Sequence, residues 1–479
     1  MPASTTFDIL AIGGGTAGLV TAAGGAGLGA RVALIEQDRM GGECLWNGCV
    51  PSKALIAAGK TAHVARNARK FGVELAPVKV HLDEALAHVR NVQARIAPHD
   101  SPERFRGLGV HVVQGRARLV GAGEVEVNGT RLRARNIVIA TGTRPAVPPI
   151  PGLADVPFHT NETIFDIETL PTTLLVIGGG PIGTELAQTF ARLGSTVHVI
   201  EALPTFFARE DAEVASRLQA QLEAEGLTFH LGAQATSVRR EGSVTTVTLK
   251  SADGSQREIR GDALLVAVGR RANIDDLGLE SLGVRTDRGG IITDAALRTN
   301  VGGIFAAGDV VSGGLKFTHV ADHMARGVLR NALFPGSSRL DYSAVPWVTY
   351  TDPELARVGL TEAEAIEKYG SGVGVWRREI GAVDRVIADG GPSGLVKIVT
   401  DKRGRVVGGH ILGPHAGDMI GELTIALKHK LTVGQLGAVI HPYPTTAEAI
   451  KQASEQRVKS TFSGWKKALV RRLVRRGVE

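Results

Sequence analysis

At 479 residues, with 43% of them apolar and 61 glycines, the chain is long enough for about three globular domains and rich in the residue that tight βα turns use. No run of 18 or more apolar residues marks a membrane span, and the N-terminus lacks the charged and apolar regions of a signal peptide, so a cytoplasmic protein is expected. The net charge of +7 is mostly a tail effect: Lys466, Lys467, Arg471, Arg472, Arg475 and Arg476 against Glu479 leave about +2 for the body, which gives no sign of nucleic-acid binding.

Phe7-Asp8-Ile9-Leu10-Ala11-Ile12 reads as a buried strand. Gly13-Gly14-Gly15-Thr16-Ala17-Gly18 follows at once, then a helical run over 19–28 and a second strand over 31–35 that ends on Glu36. That is a dinucleotide-binding βαβ unit. Gly13 makes the tight turn, Gly15 lets the backbone approach a pyrophosphate, and Gly18 lets helix and strand pack closely. The helix N-terminus faces the phosphates, and Glu36 accepts from the ribose hydroxyls. Gly24, Gly25 and Gly27 in the same helix each cost about 1 kcal/mol against Ala, which points to close packing.

Residues 41–53 hold both cysteines of the chain, Cys44 and Cys49. Two cysteines do not supply the four ligands of a structural zinc site, and no metal site is expected. Pro51 suits the first turn of a helix, and residues 54–58 favour one. Cys49 then sits at a helix N-terminus, where the dipole and the free N–H groups favour a thiolate. Cys44, one loop earlier, is the outer sulfur. Two unrelated buried thiols are the bland alternative. In a reducing cytoplasm a dithiol is more often catalytic than structural. Trp46, between the cysteines, is bulky enough to shape the pocket.

Residues 60–110 read as charged helices with Val92, Ile96 and Phe105 toward the core, and 110–140 as short strands. A buried strand over 136–140 runs into Thr141-Gly142 and a proline-rich linker over 145–151. A second fingerprint follows: a strand over 174–177, Gly178-Gly179-Gly180-Pro181-Ile182-Gly183, a helix over 184–193, and a strand over 196–200 ending on Glu201. Two such units imply two dinucleotides, most simply FAD and a nicotinamide nucleotide. Glu201 would bond a 2′-hydroxyl and repel a 2′-phosphate, favouring NADH, while Arg209 keeps NADPH open.

A strand over 263–268 ends in Gly269-Arg270 and closes the inserted unit. Residues 303–309 deliver Asp309 into a turn, and 316–321, with His319, open the next helix. From about residue 340, antiparallel strands (346–350, 395–399 and 405–412) with helices between them suggest an α+β domain, with His441, Tyr443 and Glu448 near its end. The predicted organisation is 1–150 with 272–340, then 151–271, 341–460, and a tail over 461–479. Residues 465–476 alternate apolar and basic side chains at helical spacing, as does an interfacial helix on anionic lipid. A peripheral contact with the inner membrane surface through 460–479 is one reading; a frayed tail or a helix packed on a dimer is the other.

In this order the motifs resemble the class I flavoprotein (pyridine nucleotide) disulfide oxidoreductases, the family of glutathione reductase, dihydrolipoyl dehydrogenase and mercuric reductase. The resemblance covers roughly 5–460. It is nearest to the mercuric-reductase-like branch at 316–322, 345–354 and 443–448. It implies an α/β fold with two Rossmann-like domains, one for FAD and one for NAD(P), plus a C-terminal α+β dimerisation domain. It also implies a homodimer with its active site shared between subunits. Electrons would pass from NAD(P)H through FAD to a Cys44–Cys49 disulfide, with Cys49 the thiolate facing the flavin and Cys44 the sulfur that exchanges with substrate. Lys53 would reach flavin N5 and pair with Glu185. Asp309 would hold the ribityl chain, with Gly42, Thr141, Gly142 and Gly269 lining the nucleotide sites. The helix opening near His319 would aim its positive end at the flavin C2 carbonyl, unless His319 only caps or packs.

The family places a histidine five residues before the glutamate of its last motif, and that pair serves the partner subunit as acid and base. Here the position is Tyr443, ahead of Glu448. A phenol with an ordinary pKa near 10 is a poor base at neutral pH but a workable proton donor. His441, two residues away, faces the same side of an extended segment and is the candidate substitute; a surface histidine is the alternative. Tyrosine at this place matches mercuric reductase, yet no cysteine follows Cys49, where that enzyme uses a further pair. The expected activity is reduction of a small-molecule disulfide, metal ion or similar electrophile. Dihydrolipoyl dehydrogenase is the alternative within the class. A redox-sensing or membrane-docked flavoprotein without rapid turnover is the alternative outside it.

Overall fold

The computed structural model describes residues 6–461 and 464–476. The chain divides into two compact units: 1–202 with 227–341, and 203–226 with 342–479.

In the first unit, continuous apolar runs form parallel strands buried on both faces. β1 (Thr6–Ile12) lies between β2 (Val32–Glu36) and β6 (Thr130–Ile139), parallel to both. α1 (Thr16–Gly27) is the crossover from β1 to β2. Two helices follow: α2 (Gly42–Trp46), a single turn, and α3 (Cys49–Arg66). Then come α4 (Leu82–Ile96) and α5 (Pro102–Gly107), and the edge strand β3 (His111–Gln114), parallel to β2. β4 (Ala117–Gly121) and β5 (Glu124–Val127) continue the sheet from β6 as an antiparallel meander.

The chain leaves through β7 (Thr143–Pro145) and builds a second parallel sheet. Its elements are β8 (Thr173–Ile177), α6 (Pro181–Leu193), β9 (Thr196–Glu201), β10 (Thr228–Leu231) and β14 (Ala263–Val266), with strand order β10-β9-β8-β14. Between β9 and β10 runs α7 (Ala212–Ala224), which belongs to the second unit. An antiparallel trio, β11 (Ala233–Glu241), β12 (Val244–Ser251) and β13 (Gln256–Gly261), precedes β14. β15 (Arg270–Ala272) returns antiparallel to β7. A short hairpin, β16 (Thr286–Asp287) and β17 (Gly290–Ile291), leads to β18 (Ile304–Ala306), which pairs parallel with β6. α8 (Thr318–Leu333) closes the unit.

The glycines of α1 now have a reason. A Cβ on Gly24 would come within 2.5 Å of Leu329 on α8, and one on Gly25 within 2.9 Å of Val32, so α1 sits tightly between α8 and the sheet. Gly27 has no such neighbour.

The second unit carries an antiparallel sheet in the order β19-β20-β23-β22-β21. These are β19 (Pro346–Thr349), β20 (Glu354–Gly359), β21 (Gly374–Glu379), β22 (Leu395–Thr400) and β23 (Val406–Gly413). α9 (Glu362–Tyr369) and α10 (Asp384–Ala388) connect strands. α11 (Ala416–Lys428), α12 (Val433–Gly437), α13 (Glu448–Thr461) and α14 (Gly464–Arg476) follow. Leu423, Ile420, Ile450 and Ala453 from these helices share a core with Val396, Ile398 and Ile411 of the sheet. Lys397, 3% exposed, points into a buried charge cluster: its Nζ is 2.7 Å from Asp211 Oδ1 and Glu362 Oε2 and 3.0 Å from Glu213 Oε2.

Several local expectations need correction. Residues 73–81 form no regular structure, so the helical reading of 60–110 is broken there. Phe105 is buried as expected, but Ile96, at the last turn of α4, is exposed. Cys44 lies on the helical turn α2 rather than in a loop. β20 and β21 have no counterpart in the sequence reading. Among the described residues no helix is long and apolar enough to cross a membrane.

Candidate active site

The two glycine fingerprints repeat one geometry. A Cβ on Gly13 would lie 2.4 Å from Ala140 O, and one on Gly178 would lie 2.4 Å from Ala267 O. A Cβ on Gly18 would strike Gly13 O, and one on Gly183 would strike Gly178 O. In each unit the acid at the end of the second strand turns back to the loop: Gly14 N–H donates to Glu36 Oε2 at 2.5 Å, and Gly179 N–H to Glu201 Oε2 at 2.9 Å. Gly180 has open space where a Cβ would stand, and Gly15 meets only Gly42. Both helix N-termini are therefore clear for a pyrophosphate. These cradles fit two dinucleotides.

Gly42 seats the redox turn on the first cradle. Its φ is +60°, and a Cβ there would lie 2.6 Å from Gly15 Cα, so only glycine fits. Gln93 of α4 donates to Leu45 O and Trp46 O at 3.1 and 2.9 Å and holds the far end of the turn. Trp46 is fixed by its own contacts: its indole N–H donates to Met40 O at 2.8 Å, and Arg39 lies over its ring.

Cys49 is the first residue of α3, and its Sγ is 3.7 Å from Oγ1 of Thr318, the first residue of α8. Two helix N-termini thus converge on one sulfur, both favouring negative charge there. The two cysteines are unlinked. A hydrogen bond from the Cys44 thiol brings Cys49 down to about 6, against burial and with help from Thr318 and the Lys53 charge. The same hydrogen bond, with burial, pushes Cys44 far up. One sulfur is the anion and the other the proton carrier.

Lys53, one turn along α3 from Cys49, places Nζ 2.7 Å from Glu185 Oε2 on α6. Asp309 accepts from Thr143 Oγ1 at 3.4 Å, with Arg270 Nε 3.9 Å away. Burial pushes its carboxyl up, against the Arg270 charge. Thr141 and Asn273 exchange hydrogen bonds, Thr141 Oγ1 to Asn273 O at 2.7 Å and Asn273 Nδ2 to Thr141 O at 2.9 Å. They brace the turn at Gly142. Gly269 O accepts from Ala146 N–H at 2.9 Å, which ties the return strand to the linker. His319 is exposed and stacks on Phe317 at 5.3 Å.

Residues 7–325 match the pyridine nucleotide-disulphide oxidoreductase family, and 345–454 match its dimerisation domain. The chain belongs to the pyridine nucleotide-disulphide oxidoreductases. It is 39% identical over 461 residues to a dihydrolipoyl dehydrogenase of Thermus scotoductus, covering 94% of this chain and 97% of that one. It is 36% identical over 465 residues to a mercuric reductase of Streptomyces lividans, covering 95% and 97%. The solved HOCl-induced flavoprotein disulfide reductase RclA from Escherichia coli superposes with a TM-score of 0.83 at 28% identity, over 93% of this chain and 99% of that one. As a pyridine nucleotide-disulphide oxidoreductase the chain is a flavoprotein oxidoreductase that uses FAD and NAD(P)H, and its dimerisation domain supports a homodimer.

In the second unit, Tyr443 is 70% exposed, and its phenol donates to Asp384 Oδ2 at 2.9 Å. That carboxylate pushes the phenol up from its ordinary value, so it stays protonated at neutral pH. His441 is not a surface histidine. Its side chain is 6% exposed, with Nε2 3.1 Å from Glu422 Oε1 and Nδ1 3.1 Å from Val439 O. Glu448 opens α13. Sequence reasoning missed Glu43, Asn161, Gln93, Thr143 and Thr318. Each acts through a contact between distant chain segments, and only Glu43 carried a signal, as a carboxylate beside Cys44.

Proposed function

We propose that the protein is an NAD(P)H-dependent reductase that passes electrons through Cys49 and Cys44 to a disulfide or similar electrophile. Residues 1–150 with 272–340 hold FAD, residues 151–271 hold the nicotinamide nucleotide, and 341–460 pair the subunits. The observation that carries this reading is Cys49 at the meeting of two helix N-termini, one turn before the Lys53–Glu185 pair. FAD, when bound, would supply a group that accepts hydride from the nicotinamide and can return the electron pair to a disulfide. The chain's residues do the rest. Gly13, Gly15 and Gly18 seat the pyrophosphate and Glu36 the ribose. Asp309 takes the ribityl hydroxyls, and Lys53 sets its positive charge at the ring. The nicotinamide nucleotide lies on Gly178, Gly180 and Gly183, and Glu201 selects NADH.

Reduction of the Cys44–Cys49 disulfide by two electrons and one proton leaves Cys49 a thiolate and Cys44 a thiol. Cys44 attacks the acceptor disulfide, and its proton goes to the first leaving thiolate, which departs as a thiol. Cys49 then attacks Cys44, which releases the second thiol and restores the disulfide. Tyr443 of the partner subunit donates a proton to the leaving sulfur, with Glu448 beside it. His441 is already committed to Glu422 and supports that segment instead.

A panel of low-molecular-weight disulfides, quinones and mercuric ion, each with NADH or NADPH, tests the reading. Acceptor-dependent NADH oxidation that disappears in Cys44→Ser supports it; undiminished turnover in that variant overturns it.

The tail helix adds a location. Trp465, Leu469, Val470, Leu473 and Val474 of α14 are exposed, as are Lys467, Arg471 and Arg472. At 3.6 residues per turn these apolar side chains share one half of the helix, with Lys466 among them, and Lys467, Arg471 and Arg472 lie on the other, an arrangement that suits an anionic lipid surface. Flotation with vesicles of phosphatidylglycerol and phosphatidylcholine should retain the full chain and release a chain lacking 464–479. Equal behaviour of the two excludes lipid docking.

A further inference from the structure

Glu43 stands next to Cys44 on α2. Its carboxylate takes two guanidinium nitrogens of Arg270 and, at 2.8 Å, the side-chain amide of Asn161. The same amide donates to Asn47 O at 3.1 Å. Arg270 is the first residue of β15, on the return from the second dinucleotide unit, and Asn161 lies between β7 and β8, on the way in. Both crossovers of the chain therefore meet on one carboxylate. Arg270 is itself fixed: its Nε donates to Thr143 Oγ1 at 2.6 Å and its Nη2 to Thr143 O at 3.2 Å. The side chains of Arg270 and Glu43 are 16% and 26% exposed, so this is a largely buried, charge-assisted clamp.

A clamp is needed because α2 is five residues long and lies between Gly41 and Gly48. One helical turn has no stability of its own. Gly42 and Gln93 hold its two ends, while Glu43, the residue before Cys44, anchors the turn through its side chain.

We propose that Glu43 is a positioning residue that holds Cys44 in place beside Cys49 by clamping the single turn α2 to both crossovers of the chain. This rests on the dithiol reading above. The strongest influence holding Cys49 near 6 is the hydrogen bond from Cys44, and a hydrogen bond weakens steeply once its partners shift. Loosening α2 therefore returns Cys49 toward an ordinary thiol.

The test uses two-electron-reduced holoenzyme and follows the long-wavelength thiolate–flavin absorbance against pH. In wild type the band should titrate well below an ordinary thiol, near the value of about 6 that the Cys49 surroundings favour. In Glu43→Gln and in Arg270→Gln the midpoint should rise above ~7, toward a free thiol. The double variant should rise no further than the larger single, because one clamp is being broken. A midpoint unchanged in Glu43→Gln, even with lowered thermal stability, overturns the proposal and leaves Glu43 a structural anchor. If Glu43→Gln does not fold, Asn161→Ala, which keeps the ion pair, should shift the midpoint the same way by less; no shift there overturns it too. If wild type shows no band, the dithiol reading fails, and this inference with it.

Discussion

Lys53 Nζ and Glu185 Oε2 lie 2.7 Å apart, and this contact joins the helix that starts at Cys49 to the helix that starts the second fingerprint. Glu185 is only 7% exposed in its side chain. A carboxylate so placed fixes the lysine ammonium, and in the proposed function the lysine would present that charge where an electron pair arrives. Lys53→Met or Glu185→Gln should slow flavin reduction by NADH roughly 100-fold, by analogy with loss of one preorganised electrostatic group. Anaerobic stopped-flow absorbance reads that rate directly; a rate within a factor of two of wild type would remove the pair from the electron path.

The proposed preference for NADH rests on Glu201, at the end of the strand that follows the second fingerprint. Its carboxylate turns to Gly179 N–H just as Glu36 turns to Gly14 N–H. It leaves an anion where a 2′-phosphate would stand. Glu201→Ala should raise KM for NADH about 10-fold, the cost of one hydrogen bond to a charged group, and improve kcat/KM for NADPH. Steady-state assays with both nucleotides check this, and an unchanged ratio would place selectivity elsewhere.

Tyr443 donates to Asp384, whose charge keeps the phenol protonated. It can give a proton at neutral pH but cannot take one. Oxidation of dihydrolipoamide needs a base, so Tyr443→His should increase NADH formation from that thiol by roughly 100-fold. No gain would show that the acid–base group for that direction lies outside the last motif.

Much of this site was legible in the sequence because its residues are local to motifs. Gly13 to Gly18, Cys44 to Lys53, and Gly178 to Gly183 each declare a turn or a helix start within a few residues. The Lys53–Glu185 contact came from the resemblance, since nothing in one chain's pattern pairs residues 132 apart. The Glu43–Arg270 clamp was invisible for the same reason. His441 stayed open between a substitute acid–base and a surface histidine because nothing local in the sequence brings Glu422 on α11 against it, as the fold does. Ile96 was placed in the core because its apolar side chain suggested it, although it stands exposed in the last turn of α4.

The buried lysine of the second unit makes a stability prediction. Lys397 meets Asp211, Glu213 and Glu362, and Arg377 reaches Glu213 at 2.9 Å and Glu362 at 2.6 Å. Burial pulls the lysine down, but these carboxylates outweigh it and raise it. Burial also pushes Asp211 and Glu213 up, but the lysine and, for Glu213, Arg377 outweigh it and lower them. Removing the cation strands the buried Asp211 carboxylate, so Lys397→Met should cost about 3 kcal/mol. The carboxylates' share is present above their unfolded range near 4 and is lost as pH falls through their lowered folded values. The lysine's share is present below its unfolded value of about 10.4 and is lost as pH rises through the raised one. Urea unfolding of wild type and variant should therefore differ most between those limits. A difference that does not narrow in acid would mean the cluster is not ionised.

The central claim is that electrons reach the acceptor through Cys49 and then Cys44. Its most direct measurement is the long-wavelength thiolate–flavin band of holoenzyme under anaerobic conditions. The account predicts that the band appears when wild type takes up two electrons from NADH. It predicts a band in Cys44→Ser without any reductant, since Cys49 then has no disulfide to enter. It predicts no band in Cys49→Ala at any stage of reduction. A band that survives in Cys49→Ala would contradict the account.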